Sequence, residues 1–176
     1  MTRPDSCLTA ATPYHQTAYV TTDFDRALDI LKTTHGLADF LIARDVAFAI
    51  GQGRTATVHM AVAWRGDTQY ELLQAVGGDA DIYRRGLPED GSFGMCLHHL
   101  CQEVSTEREL HDIVARLRAA GVPLAVEHGL EGLTEQSLSA FIYADFTETL
   151  GHYVEIIHFT EAGRQFIGQA PRFPTA

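Results

Sequence analysis

The sequence predicts an α+β protein built from two fused βαβββ halves, and two observations carry that expectation. One order of β-prone and helical segments runs through the chain twice, in residues 14–76 and again in residues 96–159. The spacings inside the two passes agree almost residue for residue. From Gln16 to the helix-capping Asp23 is seven residues, and from His99 to the capping Thr106 is seven again. From Gln16 to Glu71 is 55 residues; from His99 to Glu155 is 56. A repeat of this length implies a duplicated supersecondary unit in which neither half could bury its own sheet face alone. Residues 1–176 are therefore expected to form a single domain.

The elements follow in order. Residues 17–20 are rich in Thr, Tyr and Val and read as a strand. Asp23 is a good N-cap, after which Phe24, Ala27, Leu28 and Leu31 recur on one helical face until Gly36. Residues 40–42, 46–50, 57–63 and 70–73 are short strand-like segments separated by Gly-containing turns. The linker 77–94 carries Gly, Asp and Pro and reads as a hinge. The pattern then restarts with a strand at 98–104. Thr106 and Glu109 match a capping box, Leu110, Ile113, Val114 and Leu117 form the apolar stripe, and Gly121-Val122-Pro123 stops the helix. Residues 124–126, 139–143 and 153–157 are the closing strands, and nothing is assigned beyond Phe159.

Composition excludes several partner classes. Apolar residues make up 45 % of the 176 and charged residues 20 %, enough to bury a core and too little charge for a disordered chain. The net charge of −10, with no run of Lys or Arg, argues against nucleic acid. No stretch reaches the roughly 18 apolar residues of a membrane span, and residues 1–12 hold no apolar signal region. Three scattered cysteines, Cys7, Cys96 and Cys101, fit a reducing cytoplasm and read as buried or half-buried thiols. Strand alternation would point Cys96 and Cys101 to opposite faces.

If the halves pair about a pseudo-twofold axis, Gln16, Glu71, His99 and Glu155 converge. Singly these residues say little, since a lone strand glutamate is most often solvated. Glu155 says more: it lies among Tyr153, Val154, Ile156 and Ile157, where an unpaired carboxylate would be costly. The repeat selects His99 over His98. At the first strand two readings stand, because a shift of one residue would put His15 in the place of Gln16. His152 and His158 fall away from Glu155, and they, with His35, His59, His111 and His128, are read as structural. Gln74 points away from Glu71.

The segments 16–28, 70–74, 98–100 and 151–156 resemble, in order, the opening strand and helix, mid-chain ligand strand, second-half opening and closing ligand strand of the vicinal oxygen chelate superfamily. That superfamily comprises glyoxalases, bleomycin resistance proteins and extradiol dioxygenases. The resemblance implies two βαβββ modules pairing into an incomplete barrel around one divalent metal, held here by Gln16, Glu71, His99 and Glu155. It is closest to glyoxalase I-like and methylmalonyl-CoA epimerase-like members. The Gln, Glu, His, Glu set matches the zinc form of glyoxalase I, whereas the epimerase branch has His at Gln16 and Gln at Glu71. The mixed oxygen and nitrogen set suits Zn²⁺ first and also Ni²⁺, Co²⁺, Mn²⁺ or Fe²⁺. The resemblance also implies a homodimer.

The implied reaction is that of a lyase or isomerase acting on a small chelating substrate. Glu155, with Glu71 its counterpart, would abstract and return a proton beside a carbonyl. Two alternatives accompany it: a metal-free binding or resistance protein, and an Fe(II) extradiol dioxygenase, which Gln16 disfavours by standing where that chemistry needs a second histidine.

Overall fold

The structure, a computed structural model, describes residues 13–175; Cys7 and the remainder of 1–12 lie outside that range. Its first half runs β1 (Gln16–Thr21), α1 (Phe24–His35), β2 (Leu41–Gly51), β3 (Arg54–Arg65) and β4 (Thr68–Gly78). The second runs β5 (Met95–Glu103), α2 (Glu107–Ala119), β6 (Leu124–His128), β7 (Ser139–Phe146) and β8 (His152–Phe159). Both helices begin as their sequence dictates. Asp23 accepts from the Arg26 amide, and Thr106 and Glu109 close a reciprocal capping box. Gly36 ends α1 at φ +64°, the left-handed conformation that favours glycine.

One mixed sheet takes the order β2-β3-β4-β1-β5-β8-β7-β6. Its two ends curve toward each other, so that His128 on β6 hydrogen-bonds the Ala49 carbonyl on β2 at 2.8 Å. The result is a nearly closed barrel with its helices outside. The four apolar residues of α1 pack on Ala61, Ala63 and Leu72, and those of α2 on Ala140, Ile142, Val154 and Ile156. Residues of both halves share the third core, among them Val20, Val58, Leu73, Val126, Phe141 and Ile157. Fully burying side chains of this size contributes roughly 1.5–3 kcal/mol each. No helix among the described residues is long and apolar enough to cross a membrane.

The structure departs from the sequence reading in three places. Residues 41–42 and 46–50 are parts of one strand, β2, interrupted by a register shift where Asp45 takes φ +55°, and Phe40 precedes it. The linker is no free hinge: a single helical turn, Asp81–Tyr83, buries Tyr83 completely in the shared core. The unassigned tail forms α3 (Glu161–Ile167) and β9 (Arg172–Phe173), the latter pairing with β3 beyond the end of its pairing with β2.

Candidate functional site

Strand register brings the four sequence-selected residues together. In the parallel pair β1/β4, Ala18 lies opposite Glu71; in the parallel pair β5/β8, Cys101 lies opposite Glu155. Each carboxylate is thus level with the residue two beyond Gln16 or His99, and alternation puts donor and carboxylate on one face. The antiparallel pair β1/β5 sets Gln16 opposite Cys101 and Ala18 opposite His99. That reciprocal offset is what a twofold axis between the strands requires. All four residues are buried.

A bulge in β5 adds a fifth. Ala18 pairs with His99 and Tyr19 with Leu97, leaving His98 as the extra residue. The bulge cancels one step of alternation, so the adjacent His98 and His99 are both buried, with both rings against Tyr143. It also puts Cys96 and Cys101 against the same core instead of on opposite faces.

The hydrogen bonds of His98 determine the state of His99. Burial holds His98 well below the ordinary histidine pKa, so it is neutral and carries one N–H. Its Nε2 lies 3.1 Å from the Ile82 carbonyl, which only accepts, so the hydrogen is on Nε2. Its Nδ1 therefore accepts, and His99 Nδ1, 2.8 Å away, donates to it. The second nitrogen of His99 is left facing oxygen alone: Glu155 Oε2 at 3.1 Å, Gln16 Oε1 at 3.3 Å and Glu71 Oε2 at 3.4 Å. Gln69 fixes the orientation of the Gln16 amide, accepting from its Nε2 at 2.7 Å.

Three acceptor oxygens facing His99 Nε2 call for a positive charge there. A proton fills the place in the protein as it stands. Burial pushes His99 down, but Glu155 first and Glu71 with it more than reverse this, raising the pKa to about 9. Glu71 is itself raised by burial, a shift that Glu155 reinforces and His99 opposes. Among the described residues no group of three or more His, Cys, Asp or Glu side chains encloses a ready metal position. The cluster is held together by hydrogen bonds from His99.

Gln16, Gln69, Glu71 and Glu155 open onto a cavity of about 410 Å³. Tyr83, Tyr143 and several phenylalanines form much of its wall, and α3 contributes Gly163, Phe166 and Ile167. A Cβ on Gly163 would fall 1.9 Å from the Leu138 carbonyl oxygen, so glycine there lets α3 lie directly on the backbone leading into β7. His15 is turned away, its ring stacked on Trp64 at 6.2 Å. His152 and His158 bond to the Tyr153 and Val104 carbonyls and line no part of the cavity; His128, read as structural, does line it. Sequence reasoning missed Gln69, His98, Tyr83, Tyr143 and α3. Gln69 could have been found, since it lies two residues before Glu71 and so shares its face.

The family model of the glyoxalase/bleomycin resistance protein/dioxygenase superfamily matches residues 15–141. The chain belongs to this superfamily. The match takes in Gln16, Glu71 and His99 and ends before Glu155. Among solved structures, methylmalonyl-CoA epimerase from Mycobacterium tuberculosis is 16 % identical, over 89 % of this chain and 94 % of that one, with a TM-score of 0.50. A variant of the Streptomyces coelicolor methylmalonyl-CoA epimerase, in complex with 2-nitronate-propionyl-CoA, is 14 % identical over 85 % and 98 %, also with a TM-score of 0.50. At such identity the likeness is one of fold. A search of curated proteins gives no match.

Proposed function

We propose that this superfamily member is a divalent-metal-dependent isomerase or lyase that removes and returns a proton beside the carbonyl of a small chelating substrate. The observation that carries the reading is the convergence of His99 Nε2 with three side-chain oxygens at 3.1–3.4 Å. The three separations from His99 Nε2 are near the length of a coordination-shell edge, since ligands about 2.1 Å from a Zn²⁺-sized ion are roughly 3.4 Å apart in a tetrahedron and roughly 3.0 Å in an octahedron. The side chains would have to draw round an ion they do not already enclose. Imidazole, amide and carboxylate donors also suit such an ion in kind. Gln16, Glu71, His99 and Glu155 would hold it, with Gln69 and His98 orienting Gln16 and His99 from behind.

When bound, the ion would supply Lewis acidity to a substrate oxygen and so acidify the neighbouring C–H. The remaining work falls to the chain. Glu155 takes the proton and returns it to the same or the adjacent carbon, with Glu71 its counterpart across the site. Because Glu155 lines the cavity, the abstracted proton can exchange with solvent before it is returned. Titrating metal-free protein with Mn²⁺, followed by the loss of the free-ion paramagnetic resonance signal, tests the reading. One site per chain, lost in His99→Ala, is expected; an unmodified chain that binds no divalent ion sinks it.

A second reading has one observation in its favour. The His99 imidazolium already satisfies the surrounding oxygens, as a metal-free binding protein would need. Retention of a small ligand by protein that never takes up a metal would establish it instead.

A further inference from the structure

The cavity has a composition that selects its occupant. Its described lining includes no lysine and no arginine, while Glu71 and Glu155 place two carboxylates at one end. Beyond the cation that Glu71 and Glu155 themselves neutralise beside His99, an anionic substrate would find no countercharge in the cavity wall, in a chain whose net charge is already −10. The rest of the wall is mainly apolar and in good part aromatic, with a polar edge at Thr134, Gln136, Ser137 and Ser139. Phe141 lies against His128 with ring centroids 4.8 Å apart, and Phe48 meets both rings edge-on at 5.8 Å. Phe159 and Phe166 line the same space. Edges and faces are thus both presented to a flat, neutral ring system. The size fits more than one ring, since about 410 Å³ is two to three times the roughly 150 Å³ of an apolar cavity that accepts one benzene.

We propose that the site takes a neutral aromatic hydroxyketone of about two rings, its adjacent oxygens toward Gln16, Glu71 and Glu155 and its rings among Phe48, Phe141 and Phe166. The chemistry assigned to the oxygens rests on the proposed function; the preference for neutral rings rests on the cavity wall.

Calorimetric titration of Mn²⁺-loaded protein with three probes tests this. Benzoin carries two rings and an uncharged hydroxyketone, hydroxyacetone carries the same oxygens without rings, and propionyl-CoA is an anionic thioester. Benzoin should bind at least about a hundredfold more tightly than hydroxyacetone, as burial of two rings implies, and more tightly than propionyl-CoA. Phe166→Ala, at a half-buried position on α3, should weaken benzoin about tenfold and leave hydroxyacetone unchanged. Equal or tighter binding of either competing probe, or benzoin binding indifferent to Phe166→Ala, overturns the inference. Deuterium wash-in separates it from the proposed function. Benzoin that binds as expected without exchanging its carbinol C–H leaves the ring preference standing and removes the proton chemistry. Exchange of hydroxyacetone with no preference for benzoin does the reverse.

Discussion

Metal uptake should expel close to one proton per ion at pH 8. The place in front of His99 Nε2 holds either a proton or a divalent ion, never both, because the metal needs the neutral imidazole. With the pKa raised to about 9, about nine in ten His99 rings are protonated at pH 8 and about half at pH 9. Binding should therefore release about 0.9 proton at pH 8 and about 0.5 at pH 9, and apparent affinity should fall about tenfold per pH unit below 9. An ordinary histidine, with a pKa near 6.5, would release only about 0.03 proton at pH 8. Glu71, also raised, can only add to the count. Calorimetry in two buffers of different protonation enthalpy gives the number directly. Release below about 0.1 at pH 8 would refute the competition between proton and metal. The same proton bears on stability. Because the folded pKa lies above the unfolded one, its contribution is fully present below about 6.5 and is lost as pH rises through about 9. Metal-free protein should accordingly melt at lower temperature at pH 9 than at pH 6.5.

Exchange of substrate hydrogen with solvent, measured by NMR at matched metal content, should be lost in Glu155→Gln and only reduced in Glu71→Gln; the opposite order would reverse their roles. Gln16→Ala should weaken metal binding at least about tenfold, the lower end of what losing a ligand or its support costs, whereas His15→Ala, His152→Ala and His158→Ala should not. A result in which His15→Ala alone abolishes binding would place the wrong residue at the site. Leu117→Ala, on the buried face of α2, should cost about 2–5 kcal/mol. Because both halves share one core, calorimetry of that variant and of the parent should each show a single transition; two resolved transitions would mean separate units.

What was legible in the sequence was what neighbouring residues decide. Asp23, Thr106, Glu109 and the two apolar stripes announce α1 and α2 because caps and helical faces are local. The four converging residues were legible because duplication repeats a spacing, and a spacing can be counted without knowing the fold. His98 was not, since its inward turn comes from a bulge defined only by the pairing of β5 with β1, remote in sequence. Tyr83 was hidden in a linker whose Gly, Asp and Pro read as loop. The start of α3 was signalled by Thr160, which accepts from the Gly163 amide. Seven residues with a glycine inside leave too short a stripe for periodicity to register.

Among the described residues, the first half has only the single turn Asp81–Tyr83 where the second has α3. Duplication by itself yields a palindromic site, in which Glu71 and Glu155 are related by the axis and a planar intermediate could be met from either side. The palindrome is already broken where Gln16 answers to His99, and α3, resting on the backbone beside β7 and lining the cavity from one flank, widens the difference. A symmetric fold thereby acquires handedness. One carboxylate can specialise as base while the other remains a ligand, and a prochiral centre held between them has a defined face. Stereochemical outcome would then be set by a short appendage outside the repeat, which can vary without disturbing the strands that hold the donors.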